Sequence, residues 1–259
     1  MTGTTASKLQ SPFYRCRDYP NGSGMTVFCD FDGPIVNVSE RYYSTYQIAL
    51  ADLVASYQAQ GMILPIQVLS KQQFWQMKQD RVPDVEIAMR SGLRGEQIDT
   101  FLGNVCEIVN QPSLLNKDKM QPGVSWALAL LHQKGARLVL VTLRDRAEAT
   151  QILINYGLAR LFSGIYGTED SQIAYQNYSE AKTQLLSQAI TEQSPLSSWM
   201  VGDTEADILA GQALGIPTIA VTCGIRSSYM LKKFQPTRIH DDLLSVAHDL
   251  LGITQLVRV

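Results

Sequence analysis

From Pro122 onward the chain alternates short apolar runs with segments of helical period, and no other feature constrains the fold as much. A helix over 123–134 ends at Gly135, the run ARLVLVTL occupies 136–143, and a helix through Leu153 ends near Gly157. A strand near Ile165, a helix over 179–191, the strand SWMVGD, the helix EADILAGQAL, the strand PTIAVT and a last helix over 241–251 continue the series. Such alternation predicts an α/β fold, a parallel sheet with helices on both faces. One further strand precedes it: MTVFCDF, between Gly24 and Gly33, is a short run of strand formers of the kind buried on both faces.

Between that first strand and the series lies a different pattern. Tyr43, Tyr46, Leu50, Leu53, Val54 and Tyr57 recur at three- and four-residue steps, with Ser39 as the expected N-cap and Gly61 as the stop. Ile98, Phe101, Leu102, Val105, Ile108 and Val109 repeat the period until Pro112 interrupts it. Residues 38–120 therefore read as an all-helical insert in a core made of 25–37 and 121–259, and residues 1–24, rich in Thr, Ser, Gly and Pro, as a loose arm.

Composition removes several function classes. A net charge of −2 gives no electrostatic case for nucleic acid or for an anionic membrane surface. No apolar run approaches a spanning length and the N-terminal residues lack a signal-peptide core, so a cytoplasmic protein is expected. The four cysteines are scattered without a C-x-x-C pair, which reads as reduced thiols rather than a zinc site.

Ligands of parallel α/β sheets bind outside the carboxyl ends of the strands, so residues there matter most. The first strand ends in Asp30-Phe31-Asp32, the next clear one at Thr142, and a later one at Gly202-Asp203, with Lys182 at the start of the helix between the last two. Two carboxylates at one strand end repel each other and need a cation, a proton or water beside them.

With these residues assembled, the chain resembles the haloacid dehalogenase superfamily of hydrolases, in its phosphoglycolate phosphatase-like branch with a helical cap. DFDGPI resembles the first family motif, LVLVTLR the second, Lys182 the third and GDTEAD at 202–207 the fourth, in the family's order over roughly residues 25–250. The resemblance implies a Rossmann-like core and a Mg²⁺-dependent phosphatase of small phosphorylated metabolites, a monomer or homodimer. It implies that Asp30 is the nucleophile that becomes an aspartyl-phosphate and a metal ligand, and that Asp32 is the acid and base, its carbonyl also on the metal. Asp203 would be a further ligand, and Asp207 would orient metal-bound water or support Lys182. Thr142 and Lys182 would bind the phosphate, with Gly33, Leu143 and Arg144 as further substrate contacts.

Pro34 departs from the family, which usually has Thr or Val there; proline has no N–H to offer an anion, while the amides of Asp32 and Gly33 remain as candidate donors. In the insert, Trp75, Lys78, Arg81, Arg90 and Arg94 are candidates for reading a second anionic group, against the plainer reading as solvated charges. The tyrosines at 43, 46 and 57 read as core, and His132, His240 and His248 as surface residues. A β-phosphoglucomutase-like phosphoryl transfer, or a binding protein of this fold with little turnover, are the alternative readings.

Overall fold

A computed structural model of the protein describes residues 24–169 and 178–253. The expected N-terminal arm falls almost wholly outside these residues. Six strands form one parallel sheet in the order β5-β4-β1-β6-β7-β8, comprising β1 (Met25–Cys29), β4 (Arg137–Asp145), β5 (Phe162–Thr168), β6 (Ser197–Gly202), β7 (Thr218–Val221) and β8 (Arg238–His240). β1 is central, with Cys29 beside Leu140 on one side and Val201 on the other.

The period-two geometry of a strand explains the two-sided core. In β1, Val27 and Cys29 point to one face, packing with Leu138, Leu140 and Val201, while Phe28 points to the other among Val139, Val141 and Met200. Helices Val124–Gln133 and Leu243–Leu250 cover the first face through Leu128, Leu131, Val246 and Ala247. Helices Ser179–Gln193 and Glu205–Ala213 cover the second through Leu186, Ala189 and Ala210. Phe28 has no exposed surface, and cutting it to alanine would cost about 3–5 kcal/mol.

The residues between β1 and β4 carry helices Ser39–Ala59, Lys71–Gln79, Asp84–Arg90, Glu96–Ile108 and the single turn Pro112–Leu115. Tyr46, the most central aromatic here, stacks on Phe74 at 5.0 Å and meets Phe101 edge-on at 6.1 Å, with its hydroxyl 2.8 Å from Ser91 Oγ. Tyr43, Tyr57 and Trp75 pack around the same cluster, as core residues do. Two sequence expectations need correction. The helix after Asn37 has its N-cap at Val38 rather than Ser39, with Ser39 already in the first helical position and its N–H satisfied by Asn37 Oδ1 at 2.9 Å. The insert is also not all helical: Lys119–Met120 (β3) pairs antiparallel with Val36–Asn37 (β2), so the outgoing and returning chains are zipped together where they cross from the core. Helix Lys71–Gln79 went unpredicted, although Ser70 and Gln73 form a reciprocal capping box.

Candidate active site

The three central strands deliver their terminal residues to one place. Asp30 follows β1, its N–H donating to Val201 O at 2.9 Å, Thr142 and Arg144 lie near the end of β4, and Asp203 follows β6. Lys182, in the first turns of helix Ser179–Gln193, reaches between them. Its Nζ is 2.7 Å from Asp30 Oδ1 and 2.8 Å from Asp207 Oδ1. All of these side chains are buried.

Tight backbone turns bring the carboxylates close. Asp207, in the first turn of its helix, accepts from the Thr204 N–H at 3.1 Å and from its hydroxyl at 2.8 Å, which leaves Oδ1 facing Lys182. Asp203 Oδ2 accepts from Ile225 N–H at 2.5 Å, while its Oδ1 is buried with no hydrogen-bond partner. Glycines make room: at Gly224 an added Cβ would fall 2.0 Å from Asp203 Oδ2, and at Gly202 one would fall 2.1 Å from Asp207 Cγ.

One oxygen from each of Asp30, Asp203 and Asp207 lies within 4.8 Å of the others. Burial pushes the Asp30 carboxyl up to about 7, opposed by Lys182 and reinforced by Asp207. Asp203 is driven well above the usual carboxylate range by burial and then by Asp30 and Asp207. Lys182 is held above its ordinary value, because Asp207 and Asp30 outweigh the burial that would lower it. A set of hard oxygen donors, one of them orphaned and buried, fits a small divalent cation.

Asp32 occupies a separate environment. Its Oδ2 accepts from Arg41 Nη2 at 2.7 Å and Arg144 Nη2 at 3.1 Å, and its Oδ1 lies 2.8 Å from Arg144 Nε. Burial alone would raise its pKa, yet the Arg144 and Arg41 guanidiniums together hold it below the usual range.

The open space beside these groups is lined by Asp30, Asp32, Thr142, Arg144 and Lys182, with Lys78 and Arg226 adding positive charge on its far side. Leu143 also lines it. Gly33 does not act as expected: its N–H donates to Val36 O at 2.8 Å, because the chain must fold back at once to start β2, so this amide is not spare for an anion. The same turn accommodates Pro34, since its hydrogen bonds come from the N–H groups of Gly33, to Val36 O, and of Ile35 and Val36, to Phe31 O, and call on none at position 34.

Of the basic residues singled out at 78–94, Lys78 borders the pocket while pairing with Asp84 at 2.8 Å, Arg81 pairs with Glu205, Arg90 with Glu86 on the surface, and Arg94 is exposed. His132 is exposed as expected, but His240 is half-buried and sits 2.9 Å from Asp249.

Sequence reasoning missed Arg41, Asp118, Gln121, Glu205 and Arg226. Gln121 Nε2 ties Gly33 O at 2.9 Å to Cys223 O at 2.8 Å, linking two loops that border the site. Glu205 takes a two-pronged contact from Arg226, at 2.8 and 3.1 Å, and Arg226 Nη1 also donates to Lys78 O at 2.9 Å. Arg41 lies only nine residues from Asp32 and Glu205 lies within GDTEAD, but what sets their roles, Asp118 for Arg41 and Arg226 for Glu205, is 77 and 21 residues away.

Comparison with known proteins agrees with this arrangement. The family described as "Haloacid dehalogenase-like hydrolase" matches residues 27–221 of the 259. A relative in Dickeya dadantii named "Probable phosphatase IndB" is 26% identical over 88% of this chain and 95% of its own length. The phosphoglycolate phosphatase of Haemophilus influenzae is 28% identical over 52% of this chain, and the match spans only 60% of that protein. In structure, the haloacid dehalogenase-like family protein SP0104 of Streptococcus pneumoniae superposes with a TM-score of 0.62 at 21% identity, over 85% of this chain and 95% of that one. With strand order, carboxylate cluster and lysine in place, the match over most of its length shows that the chain belongs to the haloacid dehalogenase-like hydrolases.

Proposed function

We propose that the protein is a Mg²⁺-dependent phosphatase of small phosphorylated metabolites, working through a phosphoryl group carried on Asp30. The observation that carries this reading is the clustering of Asp30, Asp203, Asp207 and Lys182, with Asp30 and Lys182 lining a pocket that Asp32 also lines. Relatives named phosphatase, phosphoglycolate phosphatase and pyrophosphatase support the substrate class.

Asp30, the backbone carbonyl of Asp32 and Asp203 would hold the ion. Bound there, Mg²⁺ would offset the repulsion between an anionic carboxylate and an anionic phosphate. Asp30 attacks phosphorus and the ester oxygen departs, taking a proton from Asp32, which must first take one up against the Arg41 and Arg144 guanidiniums beside it. A water then loses a proton to Asp32 and attacks the aspartyl-phosphate, releasing inorganic phosphate and restoring Asp30. Lys182 keeps Asp30 oriented and adds positive charge, Asp207 fixes Lys182, and Thr142 offers its hydroxyl to a phosphate oxygen. Arg144, Lys78 and Arg226 line the pocket, each already paired with a carboxylate, and are the cations nearest to where a substrate's anionic groups would lie. The insert of residues 38–120 acts as the cap that excludes water during the first transfer.

Phosphate release from a panel of small esters, with Mg²⁺ and then with a chelator, tests this. Metal-dependent release is the expected result. No release from any ester would overturn the reading and favour a binding protein of the same fold.

A further inference from the structure

Asp32 is one corner of a closed square of charges whose other corners are Arg41, Asp118 and Arg144. Arg41 Nη2 donates to Asp32 at 2.7 Å, its Nε to Asp118 Oδ1 at 3.1 Å, and its Nη1 to Asn110 Oδ1 at 2.9 Å. Arg144 Nη2 donates to both carboxylates, with Asp32 Oδ2 at 3.1 Å and Asp118 Oδ2 closer still. Two anions and two cations alternate, so the group is neutral as a whole. The side chains of Arg41, Asp118 and Arg144 are each 2% exposed, against 17% for Asp32, the corner that opens on the pocket.

The origin of the corners is informative. Asp32 and Arg144 come from the core, after β1 and at the end of β4. Arg41 lies four residues beyond β2 and Asp118 immediately before β3, one at each crossing between core and insert. Desolvating two guanidiniums and two carboxylates costs several kcal/mol per ion, and apolar packing would give comparable stability. What apolar packing cannot give is a fixed direction for a carboxylate. Asp32 Oδ2 accepts from both guanidiniums and Oδ1 is ion-paired with Arg144 Nε at 2.8 Å, and both guanidiniums are themselves paired with Asp118. Arg144 Nη1 is buried with no hydrogen-bond partner among the described residues, and Arg144 borders the pocket.

We propose that Arg41 and Asp118 are positioning residues: they aim the Asp32 carboxyl at the leaving oxygen and fix the Arg144 guanidinium beside it. The proposal rests on the phosphatase reading above. Neither residue touches a reacting atom; each acts through Asp32 or Arg144. Since both stand where the insert joins the core, correct seating of the insert is a condition for correct aim of Asp32.

The test compares Asp118→Asn with the unaltered protein on two esters, an alkyl phosphate whose leaving oxygen needs a proton and 4-nitrophenyl phosphate whose leaving group departs without one. The expected result is a fall in kcat of about a hundredfold on the alkyl ester, with KM changed by less than about threefold, and roughly tenfold less damage on the nitrophenyl ester. Arg41→Lys keeps the charge but lacks the planar fork that bridges two carboxylates, and it is expected to be impaired in the same selective way. Should Asp118→Asn not fold, the paired Arg41→Met/Asp118→Leu variant, which removes one charge of each sign, takes its place. Unchanged rates, or equal losses on both esters in step with lost thermal stability, overturn the positioning role alone. An unaltered protein inactive on every ester overturns the phosphatase reading itself.

Discussion

A Cβ on Gly33 would fall 2.2 Å from Asp203 Cγ, well inside any allowed contact. Gly33 also has φ +104°, where a side chain is strained whatever the space. The turn after β1 and the loop after β6 are thus pressed together, and only a glycine lets Asp203 approach Asp30. Gly33→Ala is expected to displace Asp203, to abolish metal-dependent activity and to destabilise the fold by at least about 1–3 kcal/mol. Gly61 is the control: its φ is +79° but nothing lies near its missing Cβ, so Gly61→Ala should cost about 1 kcal/mol and leave activity intact. Urea melts and phosphate release on both variants check the pair.

Asp30→Asn should keep the fold, since the amide is nearly the same shape and Lys182 retains Asp207 as partner. Turnover should fall by roughly 10³ or more, because an amide oxygen does not accept the phosphoryl group. A variant that works within a few-fold of the unaltered protein would remove Asp30 from the nucleophile role.

Stability without metal should depend on pH through the same carboxylates. The Asp30 carboxyl has a folded value raised to about 7 by burial, against an ordinary value of 3.8. An acid with a raised folded pKa binds its proton more tightly when folded, so its contribution is present below about pH 4 and is lost as pH rises through about 7. Asp203, raised well above its ordinary value, acts in the same direction. Asp32, held low chiefly by Arg144 and Arg41, works in the opposite sense, losing its contribution only as pH falls below its ordinary range. The melting temperature of chelated protein should therefore decline between pH 5 and pH 8, and Mg²⁺ should remove most of that decline. A flat profile in chelator would show that the cluster does not carry this strain.

How much of this was legible beforehand follows from the range of the signals. That β1, β4 and β6 are parallel strands came from apolar runs a few residues long alternating with helices, though not their order, and the residues at their ends followed from the rule that sites lie at carboxyl edges. Asp30, Thr142, Lys182, Asp203 and Asp207 met as that rule required. Arg41 and Asp118 were invisible because the pair they form spans 77 residues, and nothing in the nine residues between Asp32 and Arg41 marks their contact. The short β8 strand, whose three residues are only half-buried at the sheet's edge, lacked the apolar run that marked the others. Gly33 was misread for a related reason: its composition signals a turn, but which carbonyl takes its N–H depends on where β2 begins.

Glu205 links the Lys78–Arg81 segment to the loop carrying Arg226, which makes it the place to test whether that contact matters for turnover. Its two oxygens hold Arg226 by two contacts and Arg81 at 2.8 Å, while Arg226 and Ser227 bind the carbonyls of Lys78 and Gln79 at 2.9 and 3.0 Å. Arg81 is 52% exposed and its pair is screened, so Arg81→Ala should cost no more than about 1 kcal/mol. Glu205 is only 5% exposed, and its loss strands Arg226, whose side chain is 11% exposed. Glu205→Ala should therefore cost about 3–5 kcal/mol and release the Lys78–Arg81 segment from the core. Limited proteolysis should then cut in or near residues 78–81 of the Glu205→Ala protein well before the unaltered one, with kcat/KM for small phosphate esters falling in parallel. Equal cutting rates in both proteins would mean that the contacts made by Glu205 do not hold the insert against the core.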